Sequence, residues 1–166
     1  MFKGPIKNEP TQHLDDPTIQ SMRGMFEHRA TWFYLILDEM VKAGVDMDTA
    51  RAAIYRCGCI HGREKYPRTD DLTEFCEAFM PEHIQKILEV DIVKCTKDEL
   101  DLDFHYCPLV AAWQKLTDDQ EKIKHLCDIA MDGDRGVVSE YPNWEFELGD
   151  TIADGCPTCQ IHIRKK

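Results

Sequence analysis

The hydrophobic period of this chain changes near residue 89, and that change limits the fold more than any other feature. From Thr18 to Ala43, Met22, Met25, Phe26, Arg29, Phe33, Ile36, Leu37, Met40 and Val41 mostly recur at three-and-four spacing, which predicts a helix stopped by Gly44. Asp46 or Asp48 caps a second helix running to about Lys65, before Pro67. Asp70 and Asp71 open a third, and Pro81 starts a fourth that carries Ile84, Ile87 and Leu88 inward. Beyond it Leu100, Leu102, Phe104 and Tyr106 alternate strictly, as one face of a strand does. Two antiparallel strands, 89–96 and 99–107, are expected around the polar turn Thr96–Glu99.

Pro108 then starts a short helix through Leu116, and Asp118 or Asp119 caps another that reaches Gly133 or Gly136. Residues 143–149 and 158–165 read as two more strands. The expected class is α+β: N-terminal helices followed by a four-stranded antiparallel sheet with helices packed on one face. Residues 1–17, broken by Pro5, Pro10 and Pro17, read as an arm. Residues 18–166 read as one domain, with a helical part, 18–88, and a sheet-containing part, 89–166.

Charge narrows the function classes. Twenty Lys and Arg against 31 Asp and Glu give a formal charge of −11, the wrong sign for nucleic acid or an anionic membrane surface. No apolar run approaches the roughly 18 residues of a membrane span, and the polar N-terminus lacks a signal-peptide core. A cytoplasmic protein acting on a small molecule is expected, its oligomeric state left open. Its eight cysteines should then be reduced, which makes them core residues, metal ligands or reactive thiols.

Three segments could carry chemistry. In Phe104-His105-Tyr106-Cys107-Pro108, His105 and Cys107 are two residues apart at a strand end and so share a face. A thiol and an imidazole there make a candidate nucleophile and base, and the helix opened by Pro108 favours thiolate. A partly buried thiol beside a surface histidine fits the same spacing. In the run from Cys127 to Gly136, Cys127, Ala130, Met131 and Asp134 fall on one helical stripe, which turns Asp134 inward if the helix runs that far. Asp132 and Arg135 flank it. In Gly155-Cys156-Pro157-Thr158-Cys159 the C-x-x-C pair is half of a zinc site or a redox pair. Cys57 and His61, one helical turn apart, are the residues that could complete a Cys₃His zinc site with Cys156 and Cys159.

The strings CPLVAAWQKL and LCDIAMDGDRG, with a final strand opening at Cys159 and running Gln160-Ile161-His162-Ile163-Arg164, resemble the L-2-amino-thiazoline-4-carboxylic acid hydrolase family over about residues 100–166. The resemblance implies a hydrolase that opens a carbon–nitrogen bond of a small cyclic amidine. By matching positions it implies Cys107, Asp134 and Cys159 as functional residues, with His105 as a base for Cys107. Asp134 would bind the amidinium or shuttle a proton. Arg164 or Arg135, with Asp132, would contact the substrate. A metal-bound hydroxide could replace the thiol as nucleophile, so zinc is a possible cofactor. The competing readings are a noncatalytic metal- or ligand-binding domain using Cys57, His61, Cys156 and Cys159, and a redox sensor cycling a Cys156–Cys159 disulfide.

Overall fold

A computed structural model describes residues 3–166, so the first two residues of the expected arm lie outside it. The elements run α1 (Pro17–Lys42), a 3-10 turn (Met47–Ala50), α2 (Arg51–Glu64), α3 (Leu72–Phe79), α4 (Glu82–Leu88), β1 (Val90–Cys95), β2 (Glu99–Phe104), α5 (Pro108–Gln114), α6 (Gln120–Ala130), α7 (Asp132–Ser139), β3 (Trp144–Leu148) and β4 (Cys159–Lys165). The helix starts follow local chemistry. Asp16 accepts from the Thr18 and Ile19 amides, Asp71 from Thr73, and Asp119 from Lys122, each satisfying otherwise unpaired first-turn donors.

The four strands form one antiparallel sheet in the order β1-β2-β4-β3. It is α+β as expected. Alternation decides its two faces. Leu100, Leu102, Phe104, Ile161 and Ile163 are buried inward, where they meet Phe75, Phe79, Tyr141 and Trp144 in one core. The other face is polar, and there Asp101 takes His162 Nδ1 at 2.6 Å and Arg164 Nη2 at 2.5 Å. β1 is an exposed edge, irregular between Ile92 and Lys94 and studded with charge, which blunts edge-to-edge pairing.

A second core joins α1, α5 and α6 around Leu37, Trp113, Leu126 and Ile129. The buried Trp113 donates its Nε1 to the Ala30 carbonyl at 3.0 Å, which locks α5 to α1. α2 and α7 cross at backbone contact: a Cβ on Gly58 would lie 1.9 Å from the Gly133 carbonyl oxygen, and one on Gly136 2.1 Å from that of Tyr55. Only glycine permits that approach.

The helix expected to run on to Gly133 or Gly136 instead breaks at Met131, and α7 continues to Ser139. Arg135 rather than register explains the break. Its guanidinium reaches back to the Asp128 carbonyl at 3.0 Å and to the carboxylates of Asp128 and Asp132, pinning the junction. β2 also ends earlier than expected, at Phe104, where the Tyr106 and His105 amides turn to the Leu88 and Glu89 carbonyls.

Residues 3–16 lie across these junctions. Thr11 and Gln12 amides donate to Glu89 Oε1 at 2.8 and 2.9 Å, and the buried Arg23 pairs with the same carboxylate at 3.0 Å. Glu89 itself has positive φ, 51°, at the end of α4, which aims its side chain back into this knot.

Candidate functional site

Cys107 is the cap residue of α5, in extended conformation, and Pro108 follows at the first helical position. Its sulfur accepts the amides of Leu109 and Val110 and lies within the field of Arg29 on α1. Both influences favour thiolate, yet burial outweighs them and the thiol is pushed up from its ordinary range. Cys159, the first residue of β4, takes the Ile152 amide at 3.1 Å; burial and the neighbouring Cys107 push it up to about 12. Cys127, buried on α6, neighbours both and is raised well above its usual value. Three thiols from three elements therefore converge and are neutral at pH 7.

Asp134 lies on α7. Its residue keeps partial solvent access, but the carboxyl is surrounded by protein, and desolvation raises it to about 6 against the pull of Arg29 and Arg135. Partial access together with strong desolvation describes a group set in a concavity. Burial and the Asp134 charge raise Tyr66, which follows α2, while burial and the cations Lys65 and Arg29 lower His61 on α2.

Other sequence-predicted site residues are elsewhere or already engaged. His105 is exposed and its Nε2 meets Asp91 Oδ2 at 2.8 Å, so it is not the base of Cys107. The shared-face argument required the strand to continue to Cys107, and it stops at Phe104. Burial likewise overturns the expectation of an acidic Cys107 thiol. Arg164 is held by Asp101 on the open sheet face. Arg135 and Asp132 belong to an ion-pair network with Arg51 and Asp128, at 2.6 to 3.2 Å, and no substrate group is needed to neutralise them.

The zinc set is not assembled: among the described residues no three His, Cys, Asp or Glu are arranged to hold a metal ion. Cys57 is exposed on α2, and burial with the cations Lys65 and Arg29 holds His61 below its ordinary range. Cys156 is buried beside Asp150, and all eight cysteines are free thiols. Sequence reasoning missed the convergence of Cys127 with Cys107 and Cys159. Only the helical stripe linking Cys127 to Asp134 pointed toward one of them.

A shallow groove of about 650 Å³ lies away from the thiols, along α6 and the end of α1. Several of its polar groups are paired: Lys122 with Tyr34 and Asp38, His125 with Asp48, and Asp128 with two arginines.

A small α+β protein in which three thiols from different elements converge is what the fold and site define. The chain belongs to the L-2-amino-thiazoline-4-carboxylic acid hydrolase family, whose sequence model matches residues 23–163. No curated protein matches it. Among solved structures it is similar to a trafficking protein particle complex subunit 3 from Naegleria fowleri covalently bound to palmitic acid, at 16% identity over 92% of this chain and 84% of that one, with a TM-score of 0.41. Among the described residues no helix is long and apolar enough to cross a membrane.

Proposed function

We propose that the protein hydrolyses a carbon–nitrogen bond of a small cyclic amidine such as an aminothiazoline carboxylate, with Cys107 as nucleophile and Asp134 as proton shuttle. The observation that carries the reading is the convergence of Cys107, Cys127 and Cys159 from three elements, with Asp134 a desolvated carboxyl able to exchange a proton near neutral pH. The family membership supports the reaction class.

A neutral thiol suits this chemistry if a base takes its proton as the bond forms. A carboxyl near 6 is matched to that task at neutral pH, because it can both accept and return a proton. In the proposed sequence the Cys107 sulfur adds to the amidine carbon and its proton passes to Asp134. The ring carbon–nitrogen bond then breaks, and the leaving nitrogen takes the proton from Asp134. Water adds to the thio-linked carbon, and that carbon's bond to Cys107 breaks, restoring the thiol. One water is consumed and one ring bond is opened. Cys127 and Cys159 line the site as neutral, polarizable walls.

Ring opening of L-2-amino-thiazoline-4-carboxylate by the purified protein, followed by proton NMR, tests the reading. Cys107→Ser and Asp134→Asn should each lower kcat by about 100-fold or more. Wild-type turnover in Cys107→Ser would remove the thiol mechanism. No ring-opened product from the parent protein would remove the hydrolase reading.

A further inference from the structure

α1 is apolar on two sides. One side, with Ala30, Tyr34 and Leu37, is buried in the core shared with α5 and α6. The other carries Met25, Trp32 and Ile36 to the surface at 65%, 63% and 56% exposure, with the exposed Arg29 between them. Met25, Arg29, Trp32 and Ile36 follow one another at intervals of four, three and four residues, so they form one seam about 60° wide near the middle of the helix. Ring contacts order its side chains: the Arg29 guanidinium lies 5.0 Å from the Phe26 ring centroid, and the Trp32 ring meets His28 edge-on at 5.7 Å. Leu35, also exposed, widens the patch, and Met25, Trp32, Leu35 and Ile36 together leave on the order of 500 Å² in water. That matches the largest patches on monomeric proteins and is more than half of the about 800 Å² that each partner of a stable pair buries.

We propose that this seam is the interface of a twofold dimer in which α1 packs antiparallel on α1 of a second copy of the chain. The four-three-four spacing reads the same in both directions. Antiparallel pairing therefore sets Met25 against the partner's Ile36 and Arg29 against the partner's Trp32, and the twofold repeats both pairs. Apolar side chains meet apolar ones, and the guanidinium gains a second aromatic face opposite Phe26. Charge selects the place. Two chains of net charge −11 repel over most of their surfaces. On α1 the acids are ion-paired within the chain, Glu27 with Lys115, Asp38 with Lys42 and Lys122, and Glu39 with Lys42, which leaves Arg29 as the charge of the seam. The same net charge disfavours an anionic bilayer as the occupant. A pair held mainly by one helix seam should associate in the micromolar range.

Sedimentation equilibrium of the full chain over roughly 1–500 µM tests the interface, and the parent should reach twice its chain mass within that range. Iodide quenching follows the same change. Trp113 and Trp144 are buried and Trp32 is the exposed tryptophan, so quenching should fall as the dimer forms. Trp32→Ala should weaken association about 30-fold or more, as loss of a central aromatic contact does, with an unchanged circular dichroism spectrum. Arg29→Gln should weaken it about 5-fold or more, because two cation–ring contacts are lost. Val93→Glu, at an exposed apolar position on β1, should have no effect. Met25→Lys and Ile36→Glu should each associate weakly alone and recover when mixed, since the introduced ammonium then faces the introduced carboxylate. A parent that stays monomeric throughout, species that grow beyond two chains, an equal loss in Val93→Glu, or no recovery on mixing would overturn the dimer. A monomeric parent that sediments with phosphatidylserine vesicles would overturn it as well, by assigning the seam to a bilayer.

Discussion

Asn8 and Cys107 hold each other by both edges of an amide: the Cys107 N–H donates to Asn8 Oδ1 at 2.9 Å, and Asn8 Nδ2 donates to the Cys107 carbonyl at 2.8 Å. The side chain does what a neighbouring strand would do at a point where β2 has already ended. It satisfies both main-chain groups of the residue that carries the sulfur and so restricts how that residue can turn. The same arm reaches the segment before Cys159, where the Lys3 amide donates to the Asp154 carbonyl at 2.9 Å. Gly155, at φ 82°, lets Gly4 pass in contact, since a Cβ there would fall 2.0 Å from the Gly4 carbonyl oxygen.

Asn8→Ala should therefore act on the site from 99 residues away. Two part-buried backbone groups lose their partner, at a cost of about 1–3 kcal/mol in urea unfolding. Cys107 should also alkylate faster as its backbone loosens. Asn8→Asp, which keeps the acceptor and loses the donor, should fall between. Unchanged stability and unchanged Cys107 reactivity in Asn8→Ala would show that the clasp does not orient the thiol.

Thiol reactivity should follow exposure and burial rather than motif. Cys57 and Cys95 are exposed, whereas burial raises Cys107, Cys127 and Cys159. Iodoacetamide at pH 7 with peptide mapping should label Cys57 and Cys95 first and Cys127 last. Labelling of Cys107 ahead of both exposed cysteines would mean that its amide donors and Arg29 outweigh desolvation in solution.

Asp134 carries a stability cost with a defined pH window. Its folded value, about 6, lies above the ordinary 3.8, so the native state holds the proton more tightly than the unfolded state. Stability contributed by this group is present below about pH 4, is lost as pH rises through 6, and stays lost above. Asp134→Asn should match wild type near pH 4 and be more stable by about 1–3 kcal/mol at pH 7.5, because an amide needs no ionisation in that concavity. Thermal melts of both proteins across this range check it. A constant difference at all pH values would show that Asp134 titrates normally.

Gly58→Ala should separate α2 from α7. The added Cβ would meet the Gly133 carbonyl at 1.9 Å, with main-chain atoms on both sides and no flexible side chain to yield. Destabilisation of about 1–3 kcal/mol or more is expected from overpacking. Asp134 moves with α7, so turnover per folded molecule should fall as well. Gly24→Ala, in open space on α1, should be neutral to slightly stabilising and serves as the control.

The order of elements was legible in the sequence because it depends on local periods and caps. The switch from three-and-four spacing to alternation located β2. Asp71 and Asp119 opened helices, Pro108 began α5, and the residues of β3 and β4 fell within a residue or two of their observed limits. Local signals failed where a side-chain or tertiary partner decided the outcome. The α6–α7 break depends on Arg135 folding back onto Asp128, and β2 ends where the chain turns to Leu88 and Glu89. The error over His105 follows directly, since period-two reasoning holds only while the strand lasts.

The candidate site divides along the same line. Residue type and family resemblance singled out Cys107, Asp134 and Cys159, each at an element end. Their environments were set by tertiary structure alone. The desolvation that raises all three groups and the clasp from Asn8 arise from contacts between segments far apart in the chain. A residue's protonation and freedom depend on which atoms surround it in space. Sequence determines the amphipathic faces that bring those atoms together, and only the packed fold decides which carboxylates find a cation and which groups lose their water.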